Sequence, residues 1–285
     1  MNYIVNTYNL TDQISVVNDL VKNNLTVNSN HYDVLNWKNH NNSHCSLIKQ
    51  DDKHAQYVGC VCMYERDFYV NNVEKRGCVF GDLVMNKEHR TVLPAMKMLK
   101  HHTEYALNGC DFIYTLPNSK SNALFKRLDY IKIGTMPRYA RVANYHLHIT
   151  SKTLHLKAAR SILQLVDFAR KKYHAINKHY LSKIYSIVND SDLNKVKQYY
   201  GNYDKLHTFS LKKDFDYIAW RYFLKPKEYY SYLFIGDVND SAFIIYEQNN
   251  CVVYIKDVLF TSFIVLKDVI SLMVSISILN NMRTV

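Results

Sequence analysis

Six cysteines stand at 45, 60, 62, 78, 110 and 251 with no CxxC pair among them and no histidine at zinc-ligand spacing, which removes a zinc ribbon or finger. Most lie in apolar, strand-like runs, so the expectation is reduced core thiols in a cytoplasmic protein. No RNP, zinc-finger or glycine-rich basic signature accompanies the formal net charge of +11, and the basic residues are spread out. A phosphate-bearing small ligand explains such a charge as well as nucleic acid does. The opening MNYIVNTYNL lacks a basic region followed by an apolar block, so no signal peptide is read there. Val258 to Leu279 is a long apolar run, but Lys267 and Asp268 interrupt it, which favours a buried strand and helix over a membrane span. There are only seven glycines and no short-period repeat. With 285 residues, 48% of them hydrophobic, the chain is long enough to bury a large core in two lobes.

The organising stretch runs from Gly81 to Arg141. Cys78 to Met85 is rich in β-formers and bounded by Gly77 and Asn86-Lys87, which reads as a strand. Leu93, Met96, Leu99, Thr103, Ala106 and Leu107 then recur three or four apart until Asn108-Gly109, giving an amphipathic helix with Pro94 in its first turn. Cys110 to Leu116 is a second strand ended by Pro117-Asn118-Ser119. Ala123, Leu124 and Leu128 mark a short helix, and Tyr130 to Ile133 a further strand. Strand, crossover helix and strand normally form a parallel pair.

HRTVLPAMKMLK, FIYTLPNSKSNALFKRLDYIKIG and RYAR, in that order, resemble the Gcn5-related N-acetyltransferase (GNAT) superfamily, and within it a two-lobed bacterial branch that N-acylates nucleotide-linked amino sugars for surface polysaccharide. The resemblance implies a mixed twisted α/β sheet with flanking helices, followed by a second, degenerate GNAT-like lobe. It implies acyl-coenzyme A, acetyl or 3-hydroxybutanoyl, as co-substrate without a metal. The acceptor would be a dTDP- or UDP-linked amino sugar. The turn Arg90, Thr91, Val92, Leu93, Pro94 and Ala95 would hold the pyrophosphate on helix amides. Leu83, Val84 and Met85 would pair with the pantetheine arm, and Asn118 and Ser121 would meet its sulfur end. Two departures stand out: Leu93 where relatives carry glycine, and Phe125 where many carry a tyrosine acid.

Proton transfer from the acceptor amine needs a group beside the cofactor strand, which makes Asp82, His89 and Tyr139 the catalytic candidates. Asp82 also fits an exposed strand edge, His89 a cap, and Tyr139 rim packing. Tyr32, Trp37, Trp220 and Arg221 are candidates for stacking on a base and pairing with a diphosphate, although Trp and Tyr are more often core residues. The alternatives are a two-lobed aminoacyl transferase that uses charged tRNA, and a GNAT scaffold that has lost catalysis.

Along the chain, Ile14, Val17, Leu20 and Val21 predict a helix over Thr11–Lys22 with Thr11 as its cap, and residues 23–42 read as a loop anchored by Tyr32, Val34, Leu35 and Trp37. Residues 45–48, 56–65 and 68–70 read as antiparallel strands with a turn at Asn71-Asn72. Residues 1–150 form the expected acyl-CoA lobe and 151–187 a connecting helix. In that helix Leu156, Ala159, Ile162, Leu163, Val166, Ala169 and Tyr173 hold helical spacing. The eight Lys and Arg between Lys152 and Lys183 face one acid, Asp167, which admits a phosphate or anionic-membrane role as well as simple solvation. Residues 188–285 are the second lobe, with strands at 230–236, 242–247 and 252–260, turns at Asn239-Asp240 and Asn249-Asn250, and a helix from Leu266 to Asn280. It carries no PN motif or glycine-rich turn, so no cofactor of its own is expected.

Overall fold

The computed structural model describes residues 2–25, 31–40, 43–52, 56–137, 139–150, 157–192, 194, 196, 197, 209–226, 228–236 and 240–285. They form two compact units: Met1–Gly134 with His207–Lys212, and Thr135–Leu206 with Lys213–Val285. The first unit thus ends before residue 150, and the long helix expected to connect two lobes is part of the second.

Unit 1 begins with β1 (Tyr3–Asn9) and α1 (Leu10–Asn24), followed by α2 (His31–Lys38) in place of the expected loop. Asn9, not Thr11, caps α1, its Oδ1 accepting the Thr11 amide at 2.9 Å. Then come β2 (His44–Gln50), β3 (Tyr57–Val70), β4 (Val73–Met85), α3 (Val92–Leu107), β5 (Phe112–Thr115) and α4 (Asn122–Arg127). The sheet order is β1-β2-β3-β4-β5, antiparallel except for the parallel β4–β5 pair across α3. Asn71 and Asn72, both at positive φ (51° and 64°), close the β3–β4 hairpin as two-residue turns of primed type require. Tyr130–Ile133 joins no strand, and Ile131 and Ile133 are exposed.

Strand alternation divides the core. On one face Val61, Met63, Cys78 and Phe80 pack under α3 with Met98 and Leu99; on the other Cys60, Cys62 and Tyr64 pack under α1 with Leu10 and Val17. Along β4 the alternation changes parity: Cys78 and Phe80 face α3, and beyond Asp82 it is Leu83 and Met85 that do. The cause is a bulge, because Cys62 pairs Gly81 and Cys60 pairs Val84, setting Asp82 and Leu83 against Val61 alone. Cys78 and Cys110 are joined by a disulfide with Cα atoms 6.2 Å apart. This corrects the expectation of reduced thiols at those two positions: the crossover through α3 brings the start of β5 beside β4. Cys45, Cys60 and Cys62 are free and buried, and Cys251 is exposed in a turn.

Unit 2 carries α5 (Tyr145–Thr150), α6 (Lys157–Ile184) and β6 (Ile187–Asp190). The strand β7 (Phe209–Leu211) that follows in the chain belongs to unit 1, where it pairs Phe68–Val70 of β3. A helical turn, Phe215–Ile218, continues as a π-helical Ala219–Phe223 before β8 (Ser231–Gly236), β9 (Ser241–Asn249), β10 (Val252–Phe260) and α7 (Phe263–Leu279). The order is β10-β9-β8-β6, with α7 on one face through Val265, Val269 and Leu272 and the π-helical segment on the other through Tyr222. The predicted turn at Asn249-Asn250 lies one residue later, at Asn250 and Cys251 (φ 47° and 62°), and Asn239 lies outside the described residues, as do 151–156 of the predicted helix.

Unit 2 repeats the local plan of unit 1. β10 also slips register beside its aspartate, between Ile255 and Asp257. Thr284 bridges Val252 in parallel, as Phe112 bridges Gly77, and in each unit the aspartate lies five residues beyond the bridged position.

Candidate active site

β4 and β5 stay paired only from Gly77↔Phe112 to Phe80↔Thr115. Beyond that pair the chain after β5 turns away through Leu116 and Pro117, while β4 runs on through its bulge to Met85. Pro117 has no amide to extend the ladder. The parting leaves a cleft of ≈ 250 Å³ lined by Phe80, Gly81, Asp82, Leu83, Thr115, Leu116, Asn118, Ser121 and Phe125, among others. Four of the predicted residues, Asp82, Leu83, Asn118 and Ser121, are therefore brought together.

Asp82 is the bulged residue, at φ 49°, a left-handed conformation that Asp tolerates better than most side chains. Its carboxylate takes Lys38 Nζ on both oxygens at 2.9 Å and the Tyr64 hydroxyl on Oδ2. Lys38 closes α2, and Tyr64 rises from β3 beneath Gly81, where a Cβ would stand 3.3 Å from the tyrosine ring. Burial above all, then Cys62 and Asp82, pushes the Tyr64 hydroxyl well above the ordinary range, so it stays a donor. Lys38 and Tyr64 were not among the predicted site residues. They lie 44 and 18 positions from Asp82, and no local spacing signals the contact.

Asn118 Oδ1 accepts the amides of Lys120 and Ser121, each at 3.0 Å, and the Ser121 hydroxyl at 3.2 Å, which fixes the turn into α4. Phe125 is buried and presents a ring, not a hydroxyl, to the cleft.

The other end of β4 leads to the start of α3. Thr91 precedes the helix in extended conformation with no side-chain cap, so the amides of Val92 and Leu93 lack the partner that a cap supplies. Val92 and Leu93 are exposed, whereas Pro94 and Ala95 are buried. Arg90, two positions before Val92, donates to the Met85 carbonyl from Nε at 3.3 Å and Nη2 at 3.1 Å. Val84 and Met85 are buried. The corresponding helix in unit 2, α7, is closed: Ser262 Oγ accepts the Val265 amide at 3.4 Å and donates to Asp240 Oδ1 at 3.0 Å. A carboxylate already stands where an anion would bind.

The remaining predicted residues are elsewhere. His89 Nδ1 meets the Tyr3 hydroxyl at 3.1 Å on β1 and is not part of the cleft lining. Tyr32 and Trp37 are on α2, and neither lines the cleft. Tyr139, Trp220 and Arg221 belong to unit 2. There Trp220 is buried, its indole edge-on to Tyr217 at 5.6 Å, which leaves it a packing role in place of base stacking. Tyr139 is 90% exposed. Among the described residues no cluster of His, Cys, Asp and Glu is arranged to hold a metal ion.

The chain matches no protein-family model and no curated protein. In structure it is similar over its whole length to a conserved protein of unknown function from Enterococcus faecalis, described as a probable N-acyltransferase, with 11% identity and a TM-score of 0.63. It is similar over 99% of its length to a GCN5-related N-acetyltransferase from Kribbella flavida, with 10% identity and a TM-score of 0.63. The chain spans 64% and 63% of the length of those two structures. What they share with it is the fold, a mixed sheet flanked by helices of the GNAT kind.

Proposed function

We propose that unit 1 binds acyl-coenzyme A and transfers its acyl group to an amine, which makes the protein an acyl-CoA-dependent N-acyltransferase. The observation that carries this reading is the continuity of three features along β4: the parting from β5, the bulge at Asp82-Leu83, and the uncapped start of α3 beside Arg90. An extended amide-bearing arm fits the edge of Leu83–Met85 that β5 leaves uncovered, with the Met85 carbonyl shared with Arg90, and a pyrophosphate fits helix amides next to a cation. Acyl transfer also needs a donor where charge grows on the thioester oxygen, and a bulge leaves one backbone position unpaired there. Asp82 is the group we assign to the acceptor amine, its carboxylate held by Lys38 and Tyr64. His89 and Tyr139 have no part in this assignment.

For the acceptor we propose an amino sugar carried on dTDP or UDP, an assignment that rests on the resemblance of the Gly81–Arg141 motifs. Calorimetric titration with acetyl- and 3-hydroxybutanoyl-coenzyme A is the direct test. Absence of heat and of thermal stabilisation with both thioesters sinks the proposal. A non-catalytic scaffold is the second reading, favoured by Phe125 where a hydroxyl would serve the leaving thiolate. Coenzyme A binding without turnover of any amino sugar would support it.

A further inference from the structure

Most of the apolar stripe of α6 is not on the side that packs into unit 2. The side of α6 that packs into unit 2 carries Asp167, His174, Asn177 and Leu181. Asp167 accepts the amides of Tyr145 and His146 at 3.0 Å each, His174 Nδ1 meets Ser275 Oγ at 3.0 Å, and Asn177 Nδ2 donates to Ser271 and Ser275. Much of the apolar face is left uncovered beside it. Ile162, Leu165, Tyr173, Ile176, Tyr180 and Ile184 are between 52% and 69% exposed, and Val166 is 41% exposed. At 1.5 Å per residue they form a straight ridge about 33 Å long.

Helical periodicity puts Lys172, His179 and Lys183 along the border of this ridge away from α7. Lys172 Nζ lies 5.0 Å from the ring of Phe168, itself 58% exposed. The acid of α6, Asp167, is buried on the packed side with His146 and Arg170, so no carboxylate of the helix borders the ridge. Apolar surface on this scale marks an interaction site, and its charge selects the partner. Two antiparallel copies would set Lys172 and Lys183 of one against the same cations of the other. Nucleic acid could meet the lysines and stack on Tyr173 and Tyr180, but it would leave Ile162, Leu165, Ile176 and Ile184 uncovered. A ridge that follows one helix can lie along a plane, tyrosines sit well at a water–hydrocarbon boundary, and lysines beside them reach anionic headgroups.

We infer that α6 docks unit 2 on an anionic lipid surface, the helix lying in the plane of the interface. The full chain is tested by flotation with vesicles of phosphatidylcholine containing phosphatidylglycerol, and with phosphatidylcholine alone. Binding is at least about tenfold stronger to the anionic vesicles and weakens with added salt. Ile176→Glu with Tyr180→Glu abolishes it at unchanged melting temperature, because both side chains are exposed. Lys172→Glu with Lys183→Glu lowers it about tenfold or more. Equal binding to neutral vesicles, no binding to either, or binding that survives the Ile176/Tyr180 substitutions overturns the inference. So does a concentration-dependent dimer that the same substitutions dissociate, which would assign the ridge to a second copy of the chain.

Discussion

His102 carries its imidazole into the packed face between α3 and the sheet, where Nδ1 meets Ser46 Oγ at 2.7 Å and the ring lies 4.6 Å from Phe80. Burial foremost, then the charges of His101 and His44, lowers its pKa to about 3. The unfolded chain takes up a proton near pH 6.5 that the folded chain refuses, so stability is full above pH 6.5 and falls as the pH drops towards 3. Between pH 7 and 5 this one group accounts for a loss of about 2 kcal/mol. In His102→Gln the loss measured by urea denaturation at the two pH values shrinks by that order. Arg90 gives a second prediction at this scale. Arg90→Glu removes two hydrogen bonds to Met85 and sets a negative charge beside the open amides of α3. Coenzyme A binding falls about tenfold to hundredfold by calorimetry, while the stability lost with the Met85 contact stays near 1 kcal/mol. Unchanged affinity would mean that the turn at Arg90–Ala95 is not the phosphate site.

Among the elements, α3 and β8 to β10 were legible because each carries a local apolar pattern, which β8 and β9 bury most fully, whereas Leu93 and Leu107 of α3 and Tyr254 and Ile255 of β10 stay exposed. β1 and α2 were not. α2 buries only His31 and Leu35, four apart, and its remaining positions read as polar loop. β7 is three residues long, and its partner strand lies about 140 positions earlier, beyond any local signal. Tyr130–Ile133 shows the reverse error: its β-forming residues pair with no strand and leave Ile131 and Ile133 exposed, although β5 ends the sheet. Within the site, the order of strand, turn and PN motif located the cleft, but the Lys38–Asp82–Tyr64 contact depends on tertiary packing alone. The β4–β5 junction gives a prediction of its own. A Cβ at Gly77 would stand 2.7 Å from ring atoms of both Phe112 and Phe68, just where the parallel pairing begins. Gly77→Ala should therefore cost about 1–3 kcal/mol in denaturant unfolding, and Gly109→Ala, where nothing lies within 4 Å, far less from crowding.

For the whole molecule, the two units share a plan but differ where an anion would bind. Unit 1 offers an uncapped helix start with a cation beside it; unit 2 offers Ser262 and Asp240. Titration should accordingly give one acyl-coenzyme A per chain, and a measured stoichiometry of two would refute the division of roles. The interleaving of the units has a consequence of another kind, for the order in which the chain can fold as it is made. Phe68–Val70 of β3 are bonded by β4 on one side and by β7 on the other, and Phe209 stacks on Phe68 at 5.3 Å. The sheet of unit 1 is therefore incomplete until residue 211 of 285 has been synthesised, after much of unit 2. A nascent chain halted before Phe209 displays three residues of open strand edge, a template for pairing with its neighbours on the same message.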